Sequence, residues 1–275
     1  MQPIARNIAF VLALASWLFP SSVVNAQTTN PTTMPAQHPA LFLVGDSILN
    51  PGSGPGGRGP VGWGAEITPL FDPAKIHVYN EGHGGRSSRS YIEEGWWPQV
   101  LSQMQAGDFV IMHFGNNDSA NSKNYPDRIS LKGNGEEIQE MISPVTGQKE
   151  TIHTYGWYLR QYIKDAQAKG VTIIICSPPP RNKWVDGKIK RGMDGYAQWA
   201  SDAAKMGGAF FIDLNSLAAD RLDALGPEKG AGCFVDTQHT TKAGAQINAE
   251  SVIGGLKQLK GISLTDAILP AVSDK

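Results

Sequence analysis

The sequence predicts a three-layer α/β/α sandwich around a central, mostly parallel sheet of about five strands, and two observations carry that prediction. Short runs that are apolar almost throughout recur along the chain: LFLVG from Leu41, KIHVYN from Lys75, DFVIMHFG from Asp108, VTIIICS from Val171 and AFFIDL from Ala209. Continuous rather than alternating runs are what strands buried on both faces require. Between them lie stretches with apolar residues at helical spacing, TYGWYLRQYIKDAQAKG (154–170), which ends on a Lys-Gly stop, and TKAGAQINAESVIGGLKQLKG (241–261).

The ends of the chain read differently. Arg6, an apolar run over 8–19 and then Val24-Asn25-Ala26 have the order of a secretory signal, so cleavage is expected after Ala26 and export of the remainder. Residues 27–39, QTTNPTTMPAQHP, have no apolar periodicity and read as a disordered leader. One domain is expected over 40–262, with 263–275 as a C-terminal tail, and the chain shows no internal repeat. With 41% hydrophobic and 18% charged residues, the composition suits a globular domain with a sizeable core. The formal net charge of -1 argues against nucleic acid as a partner and against an anionic membrane surface. Cys176 and Cys233 are too few for a disulfide framework and read as buried thiols or a single bridge; neither suggests a metal site.

In a parallel sheet of this kind the site lies outside the carboxyl ends of the strands, so the residues that follow each run are the informative ones. Ser47 follows the first, the glycine-rich NEGHGGRSSRS with Gly85 follows the second, and GNND with Asn117 and Asp118 follows the third. DTQHTTKAG, with Asp236 and His239, precedes the last helix. Taken singly each has a bland reading: the serine as a helix cap, the glycine as a turn, the asparagine as an Asx-turn residue, and Thr240 or Thr241 as a cap. Together they supply what acyl transfer needs, namely a hydroxyl nucleophile, a base, an acid to hold the base, and donors for an oxyanion. Asp213, at the end of the fifth run, rivals Asp236 as the acid but reads better as a helix cap. His77 and His113 lie inside strand patterns and read as satisfied core residues, while His83 reads as a residue that shapes the glycine turn.

On these residues the chain resembles the SGNH (GDSL-type) hydrolases. Gly45-Asp46-Ser47 looks like the first block of that superfamily, Gly85 before RSSRSY like the second, GNND like the third and Asp236-x-x-His239 like the last. Gly62-Trp63-Gly64, GRSSRSY, and LKGNGEE followed by TIHTYGWYLR look most like rhamnogalacturonan acetylesterases. The resemblance implies a flavodoxin-like sheet and a secreted carboxylic ester hydrolase, with Ser47 as nucleophile, His239 as base and Asp236 as its orienter. It also implies an oxyanion hole made by the Ser47 N–H, the Gly85 N–H and the Asn117 amide, with no metal or cofactor. Gly45 and Asp46 are expected to be structural, and Asn116 stands where relatives often carry His. The implied substrate is acetylated pectic polysaccharide; the runner-up is acetylxylan or another short-chain carbohydrate ester.

Other readings fit less well. Gly52, Gly54 and Gly57 satisfy G-x-G-x-x-G, with Glu81 where a ribose partner would stand, but three prolines interrupt the segment and GDSILN intervenes after the strand. No G-x-S-x-G occurs, which argues against an α/β-hydrolase. A carbohydrate-binding protein without catalysis would not need the complete Ser, His and Asp set. The loop PPPRNKWVDGKIKR (178–191) gathers Arg181, Lys183, Lys188, Lys190 and Arg191 around Trp184. A charge run is usually a solvated face, yet a tryptophan among cations also suits an acidic sugar polymer, so Trp184, Arg181 and Lys183 are expected to touch substrate.

Overall fold

A computed structural model of the chain describes residues 38–52, 59–119, 124–143 and 146–270. In order these form β1 (Ala40–Gly45), α1 (Trp63–Ile67), β2 (His77–Asn80), α2 (Ser88–Glu93), α3 (Trp96–Gln103) and β3 (Phe109–His113). A hairpin of β4 (Ile138–Ile142) and β5 (Lys149–His153) leads into α4 (Tyr155–Ala168) and β6 (Thr172–Cys176). The short ladder β7 (Trp184–Val185) and β8 (Lys188–Ile189) precedes α5 (Tyr196–Gly207), β9 (Phe210–Ile212), α6 (Leu214–Ala231) and α7 (Lys242–Leu256).

The main sheet has the order β2-β1-β3-β6-β9, and every pairing in it is parallel. Its strands are the five predicted from the apolar runs. Side chains alternate between two cores: Leu41 and Leu43 of β1 join Trp63, Ala218, Val252 and Leu256 on one face, while Phe42 and Val44 join Trp97, Leu159, Tyr162 and Ala200 on the other. Burial on both faces is why β1, β3 and β6 read as unbroken apolar runs, and each such side chain contributes about 1.5–3 kcal/mol. Helix starts follow local chemistry: the Thr154 hydroxyl accepts from the Trp157 N–H at the head of α4, the Thr241 side chain caps α7, and Ser87 with Ser90 forms a capping box for α2. Within α6, Gly226 leaves helical geometry (φ 79°, ψ 166°) and Pro227 brings no N–H, so its last turns point away from the preceding axis.

Strand order reverses at β1, whose neighbours are β2 on one side and β3 on the other, and a crevice opens there at the carboxyl ends. Ser47 and Asn117 stand at that reversal.

Three expectations need correction or enlargement. His77 is exposed rather than in the core, because β2 is an edge strand whose residues alternate between solvent and partial cover. Residues 263–270, expected as a tail, belong to the domain: Leu264 and Ala267 are buried, Phe71 pairs with Ile268, and the Leu269 N–H donates to the Leu70 carbonyl. The β4–β5 hairpin was not expected, since IQEMI carries charge and leaves Ile138 and Ile142 exposed. Cys176 and Cys233 are both free and buried. The signal, leader and G-x-G-x-x-G readings fall mainly or wholly on residues outside those described.

Candidate active site

β1 ends on Gly45, where a Cβ would come within 2.6 Å of the His113 carbonyl, so only glycine lets the two strands approach this closely. The chain then turns at once. The buried Asp46 carboxylate accepts the Ile48 N–H (2.9 Å), and its carbonyl accepts from Leu49 (3.1 Å) and Asn50 (3.0 Å), which leaves Ser47 on the outside of a fixed turn.

His239 reaches Ser47 from the loop before α7. Asp236 builds that loop around its own carboxylate: Oδ1 accepts the backbone N–H of Gln238 (2.8 Å) and of His239 (2.7 Å), while Oδ2 meets His239 Nδ1 at 2.7 Å. The opposite ring nitrogen, Nε2, lies 2.9 Å from Ser47 Oγ. Thr240 ties the loop to the segment before α1 by exchanging hydrogen bonds with Val61 through its carbonyl (2.9 Å) and hydroxyl (2.6 Å). Burial alone would raise the Asp236 carboxyl, but the two backbone N–H groups and the imidazole outweigh it and hold its pKa below the ordinary value. Asp236 is therefore ionised, and a Nδ1–H donated to it leaves Nε2 as an acceptor for the serine proton.

Gly85 adopts φ +80°, the left-handed region that glycine enters without strain. Asn117 follows β3 in a turn opened by Gly115 (φ +132°), whose missing side chain leaves room for Pro178. Its amide nitrogen donates to the Arg86 carbonyl (2.9 Å), which uses one of two hydrogens and fixes the direction of the other. Neither the Ser47 nor the Gly85 N–H has an acceptor among the described residues. Ser47, Gly85, Asn117 and His239 line one groove of about 550 Å³, together with Pro51, Gly84, Asn116, Ser119, Tyr125, Arg128, Arg181 and Gln238. A base beside a hydroxyl, an acid behind the base and free donors facing the same space can carry out nucleophilic acyl transfer.

The remaining expected residues fare differently. Asp213 lies elsewhere, accepting the Ser216 N–H as the cap of α6 and the Ser177 hydroxyl (2.9 Å). Trp184 is not placed to stack on a sugar: its ring packs over Gly230 and beside Ile189, Ala219 and Leu222, and its N–H goes to Asn182 (3.0 Å). Gly230, four residues after the α6 kink at Gly226, has no side chain, and the Cζ2 and Cη2 atoms of the indole fill that space. Arg181 does line the groove, with its guanidinium on the Asn116 carbonyl (2.9 Å) and the Ser119 hydroxyl (2.8 Å). Lys183 lines a neighbouring groove instead. His83 stacks on Trp96 at 3.8 Å, and burial lowers its pKa. His113 is buried as expected, yet neither ring nitrogen has a partner among the described residues, and burial pushes its pKa down.

Sequence reasoning named Asp118 without giving it a role, and missed Tyr125 and Arg128. Asp118 is fully buried and accepts from the Ser88 N–H and hydroxyl and from the Ser130 hydroxyl (3.0 Å), tying the Asn117 turn to α2 and to the far wall. Burial raises its pKa to about 6 against the pull of those donors. Tyr125 and Arg128 form that wall. The only signal for them in the sequence was position, a few residues after the third block.

The fold and the site together fit a hydrolase built on a parallel sheet, with a candidate serine nucleophile after β1. Residues 43–247 match the GDSL-like lipase/acylhydrolase family, and the chain belongs to that family. It is a carboxylic ester hydrolase. It is 29% identical to the rhamnogalacturonan acetylesterase of Emericella nidulans over 83% of this chain and 88% of that one. It is equally identical to a probable rhamnogalacturonan acetylesterase of Bacillus subtilis, over 83% and 97%. Among solved structures, an acetylxylan esterase of Geobacillus stearothermophilus shares the fold, with a TM-score of 0.57 at 21% identity over 82% of this chain and 95% of that one.

Proposed function

We propose that the protein is an exported carbohydrate acetylesterase that removes acetyl groups from pectic polysaccharide, above all rhamnogalacturonan, through a serine acyl-enzyme. The observation that carries this reading is the pair of contacts running from Ser47 Oγ to His239 Nε2 (2.9 Å) and from His239 Nδ1 to Asp236 Oδ2 (2.7 Å). As Ser47 Oγ bonds to the acetyl carbon, His239 takes the hydroxyl proton and Asp236 stabilises the imidazolium. The carbonyl electron pair moves onto oxygen, where the Ser47 and Gly85 N–H groups and the free Asn117 amide hydrogen receive it. Collapse breaks the bond to the sugar oxygen, which leaves with the proton from His239. Water then attacks the acetyl-serine with His239 again as base, releasing acetate and restoring Ser47.

The lining of the groove supports a short acyl group on a hydrophilic alcohol. A fatty chain needs an apolar wall, whereas this one is mostly hydroxyl, amide, guanidinium and backbone. Among the described residues two guanidiniums and no carboxylate line it, which suits an anionic polymer, and the names of the two relatives point the same way. Export rests on the N-terminal segment, with its apolar run over 8–19 and Val24-Asn25-Ala26. Protein recovered outside the cytoplasm and beginning at Gln27 by mass would agree with it; an intact Met1 would not.

Acetate release from acetylated rhamnogalacturonan, acetylated xylan and an aryl acetate tests the activity. Rhamnogalacturonan should give the highest kcat/KM, and Ser47→Ala should lower release from all three by about 10⁴ or more while unfolding stays within about 1 kcal/mol. Retained turnover in that variant rules out Ser47 as nucleophile, and a preference for xylan transfers the substrate to the runner-up.

A further inference from the structure

The wall facing the oxyanion side of the groove is built by the turn that carries Tyr125 and Arg128. That turn is held from below. Arg89, 1% exposed, directs one guanidinium nitrogen at the carbonyls of Pro126 (3.4 Å) and Ile129 (3.3 Å) and pairs through its others with Glu93 and Glu150. Ser130 is fixed by Asp118, and the Leu131 N–H donates to the His153 carbonyl (2.9 Å). A loop anchored at this many points can present a side chain at low entropic cost.

What it presents is the Arg128 guanidinium. This group lies 4.5 Å from the Tyr125 ring centroid, and its atoms are 3.3 Å from where a Cβ on Gly85 would stand, so it projects over the oxyanion donor. The nearest carboxylate is that of its chain neighbour Asp127, at 3.8 Å, and both side chains are about a third exposed. Arg181, the other cation of the groove, is already occupied by Asn116 and Ser119. Among the described residues no Asp or Glu side chain lines the groove. The groove thus offers one oriented guanidinium with donors to spare, beside the reactive serine, and the partner that matches it in shape and charge is a carboxylate.

We propose that Arg128 is the specificity-determining residue of this groove, its guanidinium taking the carboxylate of a uronic acid residue in the ester substrate. The proposal rests on the reading of Ser47 as the nucleophile of a polysaccharide deacetylase, and it moves acid recognition from the Lys183 loop to the opposite wall.

The test compares acetate release from an acetylated oligouronide carrying free carboxylates with release from the same oligosaccharide after methyl esterification, for wild type, Arg128→Gln and Arg128→Lys. Each enzyme is read by its own ratio of kcat/KM on the two substrates, so a smaller folded fraction in a variant cancels. Wild type should favour the free acid by about tenfold or more, Arg128→Gln should bring the ratio to about one, and Arg128→Lys should fall between, since it keeps the charge and loses the fork. A wild-type ratio near one overturns the proposal, as does an Arg128→Gln ratio equal to that of wild type. An equal loss on both substrates leaves the ratio at the wild-type value and so also overturns it. Release of acetate with any of these ratios leaves the deacetylase reading standing, whereas no acetate from either substrate removes both.

Discussion

Two grooves lie side by side at the carboxyl edge of the sheet, with Arg181 in the wall of each, and they treat charge in opposite ways. In the groove around Ser47 the polar groups are held by partners outside the reaction path, which leaves particular atoms free: one hydrogen of Asn117, the Ser47 and Gly85 N–H groups, and the Arg128 guanidinium. In the groove around Lys183 two of the cations are met by the protein's own carboxylates. Lys190 pairs with Asp194, and Arg191 sits between Asp220 (2.8 Å) and Asp223 (2.7 Å). The second groove carries more positive residues, yet Lys190 and Arg191 among them are already paired. A count of cations along a loop is therefore a poor guide to anion binding, and the carboxylates that meet them, Asp194 and the two from α6, decide it.

The comparison can be pressed hardest at the acid. Asp236→Asn should lower kcat by up to about 10⁴, because the amide no longer fixes the tautomer that leaves Nε2 as acceptor, while Asp213→Asn, at the cap of α6, should change it by no more than about twofold. Acetate release from the two variants in one assay decides, and a larger effect at Asp213 would break the assignment.

Next in size is Asn117→Ala, which removes one free donor and should reduce kcat by about 10² to 10³ with little change in KM. Steady-state kinetics on an aryl acetate read it, and an unchanged kcat would reduce Asn117 to a turn residue.

The support under that donor has a pH signature. The Asp118 carboxyl titrates near 3.8 when free and at about 6 in the fold, so between those values the folded protein binds more protons than the unfolded chain. Its contribution is fully present below about pH 3.8 and is lost as pH rises through about 6. Urea unfolding of wild type and Asp118→Asn across this window should show a fall of up to about 3 kcal/mol in wild type relative to the variant. Parallel curves would mean that Asp118 does not carry the shift.

The smallest effect belongs to the second groove. Arg191→Gln should cost about 1 kcal/mol of stability and leave deacetylation within about twofold, since its partners are the protein's own carboxylates and the pairs are partly exposed. A clear loss of kcat/KM on pectic substrate with stability unchanged would restore this loop as a binding surface.

Much of the architecture was legible before any coordinate. The central strands β1, β3 and β6 were readable because burial on both faces makes them apolar almost throughout, and α4 and α7 because their caps and their periodicity agree. Ser47, Gly85, Asn117, Asp236 and His239 were readable because each follows an element at a fixed topological position, and in a parallel sheet those positions share one edge. The β4–β5 hairpin was hidden by its exposure, and the place of residues 263–270 by their brevity.

Tertiary structure alone decided which groups are free. Trp184 read as a sugar platform until Gly230 of α6 met the indole, and Lys190 and Arg191 read as available cations until Asp194, Asp220 and Asp223 met them. Arg128 drew no notice in the sequence, yet it projects into the Ser47 groove with only a distant, neighbouring carboxylate for company. Periodicity and strand order are properties of successive residues, so the chain displays them openly. Whether a charge is satisfied depends on residues tens of positions away, and only the folded chain brings those into contact.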